Sequence, residues 1–211
     1  MSDARVVLIG GTSHVGKSTV ARAVAERLGF VCLSTDGLAR HPGRPWATPD
    51  HGVPPHVAEH YRSLTVDQLI TSVLDHYEAL WPRIEDLIAS HADGSGDRPG
   101  LVLEGSALRP ARIAELTVPH TAAVWLTADM DLVRARVHQA GGYERAAEGE
   151  RYLMEKFLAR TERYQDLMVE SADRLGLDRL DAGGRSVPAL ADAVLAVVGA
   201  RQSAGRPGTG G

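Results

Sequence analysis

Five short apolar runs alternate along the chain with longer segments in which apolar residues recur at helical spacing. The runs suit strands of a buried sheet because valine, leucine and isoleucine dominate most of them. They occupy residues 5–9, 30–34, 101–105, 122–128 and 177–182. The helical segments cover residues 17–28, 55–92, 130–139, 148–170 and 187–200, and the second of these has candidate breaks near Ser63 and at Pro82. Strands that alternate with helices predict a parallel sheet covered on both faces.

The pattern fits a single domain over residues 1–200, with one long irregular interruption. Residues 41–55, HPGRPWATPDHGVPP, hold too many prolines and glycines for a helix or a central strand. Long irregular loops in compact domains are usually functional, so we expect the region of about 37–92 to be an insert that binds a substrate. Residues 201–211 are expected to form a disordered tail.

The composition is that of an average globular protein, with 44% hydrophobic and 24% charged residues and a formal net charge of −4. This balance disfavours general attraction to nucleic acid or to anionic lipid. No apolar run approaches the roughly 18 residues of a membrane span, and the first residues lack the features of a secretory signal. We therefore expect a soluble cytoplasmic protein, a monomer or homodimer, that binds neither nucleic acid nor membranes.

A glycine-rich loop follows the first strand and precedes the first helix. Its sequence GTSHVGKS, residues 11–18, matches G-x-x-x-x-G-K-[ST], and this context is the one that supports the motif. Backbone N–H groups of such a loop and the positive end of the helix bind phosphates. Lys17 then reaches the β- and γ-phosphates, and the Ser18 hydroxyl is a candidate Mg²⁺ ligand. The predicted phosphate-binding residues are Gly11, Thr12, Ser13, His14, Val15, Gly16, Lys17, Ser18 and Thr19; His14 is either a spacer or a direct contact.

Acidic residues follow the second and third predicted strands. Ligands of parallel sheets bind beyond the carboxyl ends of the strands, where Asp36 and Glu104 fall. Asp36 could accept or orient the proton of an attacking hydroxyl and help to hold Mg²⁺ through water. Alternatively, it only caps the next turn. Glu104 is a candidate contact to the substrate or to an Mg²⁺-bound water, or else a plain surface acid.

The chain contains no asparagine, so it lacks both the N-K-x-D signature of GTPases and the asparagine of protein-kinase catalytic loops. In size and pattern it resembles the small-molecule kinases of the P-loop superfamily, such as nucleoside, nucleotide, shikimate and gluconate kinases. The segments STDGLAR and LVLEGSALRP are similar to those of archaeal-type 2-phosphoglycerate kinases. The resemblance implies a three-layer α/β/α P-loop NTPase fold, with a five-stranded parallel sheet, a helical lid and a substrate-binding insert. It also implies ATP and Mg²⁺ as cofactors.

The second half of the chain resembles the lid region of adenylate-kinase-like enzymes, through the segments DMDLVRARV and RTERY. The resemblance implies that Arg136 stacks on adenine and that Arg160 contacts the phosphate in transfer. A lid at about residues 138–152 would carry Arg145 and Arg151 to the developing charge. Backbone at Gly183 would hold the adenine. Each arginine has the alternative of simply solvating a helix face.

The acceptor pocket is expected in the insert, where two arginines and an aromatic ring fit an anionic or ring-containing molecule. The candidates are Arg40, Arg44 and Trp46, together with His41 and His51. We expect the γ-phosphate of ATP to pass to a hydroxyl of a 2-phosphoglycerate-like acid, a nucleoside or a secondary metabolite. The alternative function is a nucleotide sensor without phosphoryl transfer. A competing zinc hypothesis rests on His56, Glu59 and His60, which match H-x-x-E-H.

Overall fold

The computed structural model describes residues 4–39, 43–47, 52–94 and 98–204. Its centre is strand β1 (Val6–Gly11), in which every residue is buried. Parallel ladders join β1 to β3 (Leu101–Glu104) on one side and to β4 (Thr121–Thr127) on the other. Strands β2 (Val31–Ser34) and β5 (Arg179–Asp181) lie at the edges, so the order is β2-β3-β1-β4-β5. The predicted five-stranded parallel sheet is confirmed.

Seven α-helices connect or flank the strands of the described chain. They are α1 (Lys17–Leu28), α2 (Pro55–Ser63), α3 (Val66–Ala92), α4 (Pro110–Ala114), α5 (Met130–Gly141), α6 (Glu148–Arg174) and α7 (Val187–Ala204). Alternate residues of β1 enter two different cores: Val7 and Ile9 face one, and Val6 and Leu8 face the other. A strand that is buried on both faces requires helices on both, which makes the three-layer arrangement.

The predicted break at Ser63 is confirmed, whereas the one at Pro82 is wrong. Helix α2 ends at Ser63, and α3 begins after a capping box in which Thr65 and Gln68 bond to each other's backbone N–H groups. Helix α3 then continues through Pro82, which lies on its exposed side. Proline has no backbone N–H, so one hydrogen bond of the helix is missing at Pro82. The buried side chains of Trp81 and Ile84 hold the helix against the core at this point.

Two further differences from the sequence-based expectation concern short segments. Helix α4 begins with Pro110 and has only five residues, too few for a periodic pattern to reveal it. Helix α7 continues to Ala204, beyond the predicted boundary at residue 200, and the rest of the predicted tail lies outside the described residues. Within the described residues, no helix has the length and apolar character needed to cross a membrane.

Candidate functional site

The loop between β1 and α1 wraps around the side chain of Lys17. Gly16 caps α1 at φ 102°, a left-handed conformation that suits glycine and turns the chain into the helix. The Lys17 ammonium donates to the Thr12 carbonyl oxygen at 2.7 Å and to Ser106 Oγ at 3.3 Å. Burial lowers the pKa of Lys17, while the carboxylates of Glu104 and Asp36 oppose that effect.

Ser18 and Glu104 bring two side-chain oxygen atoms together at the start of α1. Ser18 Oγ donates to Glu104 Oε1 at 3.0 Å, so the first helical turn is joined to the end of β3. Ser18 is exposed, whereas Glu104 is 5% exposed. Hydroxyl and carboxylate oxygens are the ligands that Mg²⁺ prefers, and Mg²⁺ commonly takes only one or two protein groups beside nucleotide phosphates. The pair therefore fits that ion.

Asp36 lies in a short 3-10 turn, Thr35–Gly37, directly after β2. The capping side chain of this turn is that of Ser34, whose Oγ accepts from the Asp36 backbone N–H at 3.3 Å. The Asp36 side chain itself is exposed. The cap therefore comes from Ser34, and the Asp36 carboxylate faces the cavity described next.

Gly105 lets the ends of β2 and β3 approach each other. A Cβ atom on Gly105, which has φ 158°, would lie 1.8 Å from Thr35 Oγ1. No larger residue fits there unless the turn that carries Asp36 moves. The glycine after Glu104 therefore sets the distance between the two acidic residues of the sheet edge.

A cavity of about 370 Å³ opens at the carboxyl edge of the sheet. It brings together the loop residues 13–19 with Asp36, Arg44, Glu104 and Arg136, all of which the sequence predicts. Its wall also contains Ala182, next to the predicted Gly183, and residues that sequence reasoning missed, namely Val20, Ser106, Arg185, Val187 and Leu190. Ser106 could have been predicted from the sequence, because it follows the end of β3 two residues after Glu104. Arg185, Val187 and Leu190 follow the short strand β5, whose mostly exposed residues give little indication in the sequence that a strand ends there.

His14 lies in the loop between β1 and α1, named the phosphate loop for the phosphate-binding role that the sequence predicts for it, and joins this loop to other parts of the fold. Its backbone has φ 63°, and its carbonyl oxygen accepts from Arg136 Nη1 at 2.7 Å. Its ring centroid lies 5.6 Å from that of Trp46 and 6.0 Å from that of Phe157. Burial, followed by the charges of Arg44, Lys17 and Arg136, lowers the pKa of His14 to about 4. The imidazole is therefore neutral near pH 7 and packs as an aromatic ring.

Trp46 lies in this aromatic cluster and is only 3% exposed. Its ring meets Phe157 edge-on at 4.9 Å. Three further candidates for the acceptor pocket, Arg40, His41 and His51, lie outside the described residues. A contact of Trp46 with an acceptor stays a prediction; in this arrangement the ring fills the core beside the loop.

Arg160 is buried on α6, at 6% exposure, with its guanidinium over Phe157 at 4.8 Å and over Tyr61 at 5.5 Å. It lines a second cavity of only about 10 Å³, together with Tyr77 and Tyr164. Ser13 and Ser106 border both cavities. Arg160 therefore lies directly behind the wall of the larger cavity.

The two predicted lid arginines lie near the connection between α5 and α6. Arg145 is exposed in a 3-10 turn, Tyr143–Arg145. Arg151 donates to the Glu144 carbonyl oxygen at 2.8 Å, and its guanidinium lies 5.4 Å from the centroid of the Tyr143 ring. Neither residue lines the cavity that contains Lys17 and Asp36; Arg145 lines a separate open cavity of about 410 Å³ with His138 and Tyr143. A role at the phosphates stays a prediction for both.

The remaining predicted residues occupy nearby positions. Thr12 lies in the wall of the small cavity, and Gly11 is buried at the end of β1. The Gly183 N–H donates to Asp181 Oδ1 at 2.8 Å, beside the cavity residue Ala182. In the H-x-x-E-H segment, His56 is exposed and Glu59 pairs with Arg62 at 3.4 Å. No three metal-binding side chains cluster anywhere in the part of the chain that the structure describes.

Comparison of sequences finds relatives for a short part of the chain. The chain is 46% identical over 56 residues to a bifunctional pantoate ligase/cytidylate kinase from Prochlorococcus marinus (strain MIT 9303), and equally to that of strain MIT 9313. The match covers 26% of this chain and 11% of each relative, so the chain aligns with about a tenth of the length of these proteins. No protein-family model matches the chain.

Comparison of structures covers nearly the whole chain at low sequence identity. A sugar kinase from Janibacter sp. HTCC2649 has a TM-score of 0.56, at 17% identity over 92% of this chain and 94% of that one. A gluconokinase from Sinorhizobium meliloti 1021 has a TM-score of 0.51, at 18% identity over 94% and 93%. A shikimate kinase from Aquifex aeolicus has a TM-score of 0.50, at 11% identity over 95% and 99%. The chain shares the three-layer α/β fold of these three kinases.

Proposed function

We propose that this protein is an ATP- and Mg²⁺-dependent kinase that transfers the γ-phosphate to a hydroxyl of a small metabolite. The observation that carries the proposal is the cavity that Lys17 and Ser18 share with Asp36 and Glu104. Side chains suited to binding the phosphates of the donor therefore line the same cavity as acidic side chains suited to an acceptor hydroxyl. The kinase names of the structural neighbours agree with the proposal.

On the donor side, the loop and the start of α1 bind the phosphates, with Lys17 directed at the β- and γ-phosphates. Ser18 would ligate Mg²⁺ directly, and Glu104 and Asp36 would hold it through water. The bound ion would neutralise negative charge on the phosphates. Arg136 and the backbone near Gly183 would hold the base, in a wall that also contains Val187 and Leu190.

On the acceptor side, Asp36 accepts the proton of the attacking hydroxyl. The hydroxyl oxygen bonds to the γ-phosphorus while the bond from that phosphorus to the bridging oxygen breaks, which releases ADP. Transfer is direct and in line, so positioning and charge neutralisation supply most of the catalysis. The acceptor classes that fit are a phosphorylated hydroxy acid, a nucleoside or a hydroxylated secondary metabolite.

The test is a screen of ADP release with the purified protein, ATP and Mg²⁺ against a panel from these three acceptor classes. At least one acceptor should raise ADP production above the rate without acceptor, and Asp36→Asn should abolish the increase while ATP still binds. If no acceptor raises the rate, the kinase proposal fails. A nucleotide sensor would instead bind ATP both as the wild type and as Asp36→Asn, and its response to ATP would be the same in the two proteins.

A further inference from the structure

A short segment of the insert is held against the phosphate loop. In the described residues 43–47, Pro45 and Trp46 are both buried. The Trp46 ring packs between His14 of the loop and Phe157 of α6. An indole packed in this way fixes its neighbours in the chain, because it cannot leave without exposing a large apolar surface.

Arg44 lies two residues before this anchor and lines the cavity that contains Lys17 and Asp36. It is exposed, and no described acidic residue forms a salt bridge with it. Its positive charge contributes to lowering the pKa of Lys17 and that of His14. Arg44 is therefore close enough to the phosphate loop for its charge to act on that loop.

Two cations that face one cavity repel each other unless an anion lies between them. A guanidinium also presents paired N–H groups that match two oxygens of one phosphate. We propose that Arg44 contacts the γ-phosphate of the bound nucleotide, so that the insert completes the donor site. This inference rests on the proposed function and goes beyond the acceptor role that the sequence predicts for Arg44.

Equilibrium binding without acceptor tests the assignment, using a non-hydrolysable ATP analogue and ADP with Mg²⁺. Arg44→Ala should weaken binding of the analogue by about tenfold or more, since hydrogen bonds to charged groups have this size. Binding of ADP should change by less than about twofold, because ADP lacks the γ-phosphate. The affinity of Arg44→Lys for the analogue should lie between those of the wild type and Arg44→Ala, because lysine keeps the charge and loses the paired N–H groups.

Arg83→Ala is the matched control, because Arg83 is an exposed arginine on α3 that does not line the cavity. It should bind both nucleotides as the wild type does. The inference is overturned if Arg44→Ala weakens the binding of both nucleotides equally. It is also overturned if the variant binds both nucleotides as the wild type does, whether or not its KM for the acceptor rises. If the wild-type protein binds neither nucleotide, the proposed function itself fails, so the two failures are distinguishable.

Discussion

Lys17 and Lys156 are the only lysines among the 23 lysines and arginines of the chain, and they occupy different surroundings. Lys17 lies inside the phosphate loop and bonds to the Thr12 carbonyl. Lys156 lies on α6 and donates to the Leu64 carbonyl between α2 and α3. If Lys17 binds the phosphates of ATP as proposed, removal of its ammonium should affect the protein differently from removal of the Lys156 ammonium, which joins two helical segments.

Lys17→Ala is expected to lower turnover by about 10²–10³-fold, the usual effect of removing one group that stabilises the transition state. Lys156→Ala should keep the turnover and lose only some thermal stability. Initial rates of ADP formation and thermal melting of both variants check this prediction. Equal losses of turnover in the two variants would contradict it, since they would point to general unfolding.

His14 makes stability depend on pH. Its pKa is lowered from 6.5 to about 4 in the folded chain, so the unfolded chain binds more protons between these values. The contribution of His14 to stability is therefore fully present above about pH 6.5 and is lost progressively as the pH drops from there through about 4. His14→Asn should flatten this dependence, because asparagine tolerates the left-handed backbone and does not titrate.

Melting temperatures of wild type and His14→Asn, measured from pH 7 to pH 4.5, test this expectation. His120→Asn is the matched control, because His120 is the other described non-glycine residue with a positive φ, at 54°. A pH dependence that persists in His14→Asn would assign it to other groups.

The candidate site was predictable where it depends on local spacing. The positions of Lys17 and Ser18 at the cavity follow from a motif of eight residues, and those of Asp36 and Glu104 follow from the ends of strands. The contact of His14 with Trp46 was not predictable, because it depends on how an irregular insert folds back. The same holds for the position of Arg160, which tertiary packing buries beside Ser13 and Ser106. Its contact with the phosphate in transfer stays a prediction.

At the scale of elements, the ends of β2 and β3 form one unit. The turn with Asp36 follows β2, Glu104 ends β3, and Gly105 leaves no space between them for a side chain. The spacing of the acidic residues therefore depends on a glycine that carries no chemistry itself.

Gly105→Ala should destabilise the protein by about 1–3 kcal/mol, because the added methyl group overlaps Thr35. It should also lower turnover, since the turn that carries Asp36 must move. Gly149→Ala is the control: a Cβ there meets nothing within 4 Å, and alanine favours the helix. Urea unfolding and initial rates measure both effects; unchanged stability in Gly105→Ala would contradict the close approach.

A helix or strand was predictable from the sequence when its pattern of apolar residues extends over enough positions to be recognised. The five strands and the break at Ser63 follow from apolar runs and spacing. The passage of α3 through Pro82 does not, because burial of Trp81 and Ile84 outweighs a local preference. Helix α4 is shorter than two turns and leaves no periodic signal.

At the scale of the whole molecule, the sheet separates two cores, and Trp46 attaches the insert to one of them. The same core contains residues of α1, α5 and α7. The insert is thus part of the folded domain at this point, in contrast to a loop that merely crosses its surface.

Trp46→Ala should lower the free energy of unfolding by about 3–5 kcal/mol, the range for a buried tryptophan. Trp46→Phe should cost clearly less, because it keeps a ring against His14 and Phe157. Urea unfolding followed by circular dichroism provides the values. A loss below about 1 kcal/mol in Trp46→Ala would show that the ring leaves its place at little cost.

The position of β1 in the sheet has a consequence for how the chain acquires its structure. Its Val6 pairs with Leu101 and with Thr121, residues roughly 95 and 115 positions later. Contacts of such high sequence separation slow folding, because a long loop must close before they form. During synthesis, strand β1 therefore cannot complete its pairing in the sheet until the residues of β3 and β4 have been made.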